Sequence, residues 1–104
     1  MMNLHPGLRL ESATCDTQVV VVRATDGTDV DLRCGGVAMR ALGTDEPRVA
    51  ATDPGSGYGT AIGKRYVRDD LGLELLCTRG GDGSLTVDGQ SLELKGAQPL
   101  PSSD

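Results

Sequence analysis

The apolar residues of this chain fall in short runs, mostly alternating with polar ones, and glycine-rich turns separate the runs. That period-two pattern predicts strands rather than helices. Leu8-Arg9-Leu10-Glu11 alternates first. Val19-Val20-Val21-Val22 follows within Gln18–Arg23 and is the strongest strand signal in the chain, because β-branched side chains suit extended backbone. A run apolar on both parities predicts a strand covered on both faces. Asp26-Gly27 then precedes a second alternating run over 28–33, and Asp-Gly at that place predicts a two-residue hairpin turn. In that register Val21 faces Leu32 and Val19 faces Cys34. Val19, Val21, Val30, Leu32 and Cys34 then share the inward face, with Asp29, Asp31 and Arg33 outward.

The middle of the chain is less regular. Ala38-Met39-Arg40-Ala41-Leu42 reads as one helical turn or a strand end, and Thr44-Asp45-Glu46-Pro47 as a turn. Asp53-Pro54-Gly55-Ser56-Gly57-Tyr58-Gly59 is a glycine-rich loop. Strands follow over 64–68 and 73–78, joined by the turn Asp69-Asp70-Leu71-Gly72. Gly80-Gly81-Asp82-Gly83 predicts a turn with a bulge. Leu85-Thr86-Val87 and 90–95 form a last pair of strands around Asp88-Gly89, with Leu85 facing Leu92. The pattern predicts an all-β or β-rich fold: a small sandwich or open barrel of six to eight antiparallel, hairpin-linked strands. It reads as one domain over 1–98 with an extended or disordered tail over 99–104.

Composition refines this picture. Phe and Trp are absent from the 104 residues, and Tyr58 and Tyr66 are the only aromatics. The core must then be built from smaller apolar groups that bury less area each. Modest stability follows, and self-association as a homodimer, by edge pairing or face packing, is expected. The formal charge of −5 and the lack of a basic patch with interleaved aromatics argue against nucleic acid. No run approaches the ~20 apolar residues that cross a bilayer. The start of the chain lacks a basic segment followed by an apolar one, so a cytoplasmic location is expected. The odd cysteine count fits a compartment that keeps thiols reduced.

Candidate chemistry is sparse. Gly63-Lys64 resembles the end of a phosphate loop, but Tyr58 stands where the first glycine belongs and Arg65 where the hydroxyl belongs. Asp26, Asp29 and Asp31 lack calcium-loop spacing and read as turn and surface residues. His5, the single histidine, reads as a solvated terminal residue. Cys15, Cys34 and Cys77 stand above this background. No Cys-x-x-Cys spacing marks a zinc ribbon. Strand parity nevertheless turns Cys34 and Cys77 inward, and Cys15 too if the first strand extends back to it. Three inward thiols could hold zinc or copper, with His5 or Met39 as a fourth ligand. The competing reading is that buried cysteine packs as a small hydrophobe, expected in a chain without Phe or Trp.

These observations favour a non-catalytic binding or accessory module, such as a subunit of a larger assembly, that needs no cofactor and works with a protein partner or another copy of itself. A metal–thiolate protein using Cys15, Cys34 and Cys77 is the alternative. A thiol enzyme acting through Cys34 or Cys77 ranks third, because neither has an activating base nearby in sequence.

Overall fold

The computed structural model describes residues 2–25, 29–52 and 59–95. Among them the chain is all-β. The only helical element among the described residues is a single 3-10 turn, Asp69–Leu71, closed by Gly72 in the left-handed region. The described residues form twelve strands, more and mostly shorter than the sequence pattern predicts. They form three antiparallel sheets of two, four and six strands.

The six-stranded sheet runs β12 (Glu93–Leu94), β8 (Arg65–Arg68), β9 (Leu73–Arg79), β3 (Gln18–Arg23), β2 (Arg9–Glu11), β7 (Arg40–Ala41). The four-stranded sheet runs β11 (Gln90–Ser91), β10 (Leu85–Val87), β5 (Leu32–Cys34), β6 (Val37–Ala38). β1 (Met2–Asn3) pairs with β4 (Asp29–Val30). Inward residues of both larger sheets meet in one apolar cluster. Val19, Val21, Leu73, Leu75 and Cys77 come from the first sheet; Leu32, Cys34, Leu85 and Val87 come from the second.

The valine strand β3 lies inside its sheet, paired with β2 and β9. This corrects the expected hairpin: Val19 pairs with Leu10 and Cys77, and Val21 with Leu75, not with Cys34 and Leu32. The inward parity of all five residues nonetheless holds, since each is buried. Within the 28–33 run, Leu32 and Arg33 belong to β5 of the facing sheet and Asp29–Val30 to the pair with β1, so Leu32 meets the valines across the core. The Asp26-Gly27 turn lies outside the described residues. The other face of β3 is only partly covered, with Val22 39% exposed. Its four valines reflect β propensity more than double burial.

The second Asp-Gly turn forms as expected. Asp88 and Gly89 both have positive φ (51° and 85°), as a two-residue type I′ turn needs. Leu92 N–H donates to Leu85 O at 3.2 Å, the register the sequence predicts. The expected single strand over 90–95 breaks at Leu92. β11 stays with β10, whereas β12 crosses to β8. Gly80–Gly83 also carries the chain between sheets, from β9 to β10, so it does not close a hairpin. The register shifts lie instead in β3 opposite β9. Residues 38–41 are extended, with Met39 buried between β6 and β7. The turn expected over 44–47 centres on Leu42-Gly43, where Thr44 N–H donates to Ala41 O at 3.2 Å. The loop residues 53–58 and the tail 99–104 lie outside the described residues.

Candidate functional site

β2 and β3 form a hairpin whose last rung is Ser12 N–H to Thr17 O at 2.8 Å. Cys15 sits in the four-residue tip beyond that rung. The strand therefore does not extend back to Cys15; the hairpin loop delivers it. The glycine stretch between β9 and β10 packs against this tip. A Cβ built on Gly81 would lie 2.6 Å from Thr17 Oγ1 and 2.9 Å from Cys15 Sγ. One built on Gly83 would lie 2.7 Å from Cys34 Sγ and 3.3 Å from Cys15 Sγ. Both glycines lack positive φ, so here glycine serves close approach rather than turn geometry.

The tip and the glycine stretch bring two of the three cysteines together. Cys15 Sγ lies 3.9 Å from Cys34 Sγ. Cys34 is fully buried at the end of β5, whereas Cys15 is partly exposed. Cys77 Sγ donates instead to Arg79 O at 3.1 Å in its own strand. Among the described residues, no three His, Cys, Asp or Glu side chains gather as metal ligands. The other two candidate ligands lie apart: His5 is exposed with its Nδ1 3.3 Å from Pro6 O, and Met39 is buried in the core. Asp31 pairs with Arg33 at 3.0 Å, a surface ion pair.

The surroundings of Cys15 are polar and directed. Gly83 N–H donates to its sulfur at 3.4 Å. The Thr17 hydroxyl, fully buried, is 3.3 Å from the sulfur, and Ser12 Oγ is 3.5 Å away. Ser12 Oγ already accepts the amides of Thr14 (3.0 Å) and Cys15 (3.2 Å). Its lone pairs are thus engaged, and its proton is left for Thr14 Oγ1 or for the sulfur. The Cys15 thiol can donate to the Thr17 hydroxyl when protonated; its thiolate can receive hydroxyl protons when ionised. Burial pushes the Cys15 pKa up. Hydrogen bonds from the Ser12 and Thr17 side chains and from the Thr17 and Gly83 backbone outweigh it, bringing the thiol down to about 6. Cys34 goes the other way. Its burial, with the neighbouring Cys15 charge adding, pushes it up to about 11. Burial also raises Cys77. Of the close pair, Cys15 ionises and Cys34 keeps its proton.

Cys15 opens into a cleft of about 440 Å³, lined also by Thr14, Asp16, Arg48 and the Gly80-Gly81-Asp82 stretch. Arg48 forms an ion pair with Asp16 there. That hydrogen bond, with the Cys15 charge adding, holds the guanidinium above its usual value.

Inward parity points to Cys34 and Cys77, and to Cys15 only through a strand extension that the hairpin tip replaces. The overlooked signal is Ser12-Ala13-Thr14-Cys15-Asp16-Thr17, where hydroxyl residues flank a cysteine between two strands. No protein-family model, curated protein or solved structure matches the chain.

Proposed function

We propose that this chain is a small accessory module that acts in a thiol-reducing, cytoplasmic compartment, with Cys15 as its functional group. The observation that carries this reading is the Cys15 sulfur, which opens to a cleft with the Gly83 N–H donating to it and the Ser12 and Thr17 hydroxyls within hydrogen-bond distance. A thiolate so placed attacks or binds soft centres: a disulfide sulfur, a peroxide oxygen or a thiophilic metal ion. Among the described residues lining the cleft there is no imidazole, and Asp16 is tied to Arg48. That set suits thiol exchange or capture better than acyl transfer, which needs a positioned acid for the leaving group. The module works with a protein partner or a second copy of itself. Leu42 beside edge strand β7 and Leu94 in edge strand β12, both exposed, are the apolar groups such a contact would cover.

One distance favours a metal–thiolate reading. Two thiolates on one tetrahedral Zn²⁺, each bonded at about 2.3 Å, stand about 3.8 Å apart, and Cys15 and Cys34 are 3.9 Å apart. Elemental analysis of gently purified protein separates the two readings: stoichiometric zinc or copper, lost in Cys34→Ala, favours the metal.

The accessory-thiol reading is tested by brief alkylation at neutral pH with a neutral reagent, iodoacetamide, followed by peptide mass spectrometry. Cys15 is expected to be labelled first, with Cys34 and Cys77 labelled only after denaturation. Labelling of all three at similar rates, or of Cys77 ahead of Cys15, would overturn it.

A further inference from the structure

We propose that Cys34 is the resolving partner of Cys15, so that a hydroperoxide meeting the cleft converts the two thiols into a reversible intramolecular disulfide. This rests on the reading of Cys15 as the functional thiol and adds what its product becomes.

The geometry carries the argument. The two sulfurs are already 3.9 Å apart, and a disulfide bond of about 2.05 Å requires them to approach by roughly 2 Å. Cys34 is anchored at the end of β5, while Cys15 rides on a four-residue hairpin tip. The movement therefore falls to the loop residue. Only the loop sulfur faces the cleft, so an oxidant reaches Cys15 first; Cys34 has no exposure of its own. Gly83 lies over both sulfurs and leaves no side chain in their way.

The steps balance. The Cys15 thiolate attacks the terminal oxygen of the hydroperoxide, forming S–O and breaking O–O. The departing alkoxide takes a proton from solvent and leaves as the alcohol. Cys15 is then a sulfenic acid. The Cys34 sulfur attacks the Cys15 sulfur, forming S–S and breaking S–O. The hydroxide takes the Cys34 proton and leaves as water. Two thiols lose two electrons in all, and the hydroperoxide becomes alcohol and water. The first step also eases the second: it removes the negative charge on Cys15 that helps keep Cys34 protonated. External thiols reverse the bond by attack at the exposed Cys15 sulfur.

The test treats the whole reduced chain with one equivalent of hydrogen peroxide, then counts thiols and maps peptides without reduction. The expected result is a fall from three free thiols per chain to one, with Cys15 and Cys34 in one linked peptide and Cys77 free. In Cys34→Ser, Cys15 sulfenic acid is expected to persist and to be trapped by dimedone. The wild-type map decides the matter by itself if that variant does not fold. Over-oxidised Cys15, or Cys15 linked to another chain with Cys34 free, would overturn the resolving role and leave the functional thiol standing. Peroxide-resistant Cys15 that also resists iodoacetamide would overturn both.

Discussion

Gly83→Ala probes the close packing around the thiol pair. Ordinary contact begins at 3.4 Å, so the new Cβ falls about 0.7 Å short against Cys34 Sγ and about 0.4 Å short against Gly35 N; against Cys15 Sγ it is only marginally tight. Such overpacking costs ~1–3 kcal/mol. Alanine at a position without positive φ returns ~0.4–1 kcal/mol by restricting the unfolded chain. The net expected loss is ~1–2 kcal/mol. The clash is chiefly with one sulfur, so Cys34→Ala, which costs ~1–2 kcal/mol alone as lost core volume, should partly relieve it. The double variant is then more stable than the sum of the single losses predicts, by ~1 kcal/mol. Urea titrations of the four proteins, followed by circular dichroism, give the cycle. A Gly83→Ala variant as stable as wild type, or strictly additive losses, would refute the packing described here.

Other expectations follow from separate parts of the molecule. Gly89→Val places a β-branched residue at φ 85° and should cost ~1 kcal/mol or more, read as a lower melting temperature. Glu74 is buried between Lys95 at 2.8 Å and Arg65 at 3.0 Å. The Lys95 hydrogen bond leads in holding its pKa below the usual 4.5; burial opposes it, and Arg65 assists. The stability this lends is present above the ordinary value and lost as pH falls through the lowered one. Glu74→Gln should lower the melting temperature at neutral pH and flatten its decline below about pH 4.5. Cys77→Ala removes a core sulfur outside the thiol pair. It should cost ~1–2 kcal/mol and leave Cys15 alkylation unchanged.

What could be read in the sequence follows the range of the interactions involved. Asp88-Gly89 was legible because a two-residue turn is decided locally, by the left-handed backbone that both positions adopt. The inward parity of Val19, Val21, Leu32 and Cys34 was legible because alternation records burial. Which strands pair was not. The valines of β3 suit many neighbours, and residues far along the chain in β9 took the place assigned to the 28–33 run. The site lay beyond the sequence for a related reason. Cys15 gains its donors from Thr17 nearby and from Gly83, 68 residues on; Gly80-Gly81-Asp82-Gly83 by itself predicts only a turn.

The central claim is that Cys15 is ionised at neutral pH within its cradle of hydroxyl and N–H donors. Ultraviolet thiolate absorbance, titrated in wild type and in Cys15→Ser, measures this directly as a difference. The account predicts a transition in the difference curve at a pKa of about 6, with the remaining thiols titrating well above it. A difference transition near 9, the ordinary value for a thiol, would contradict it.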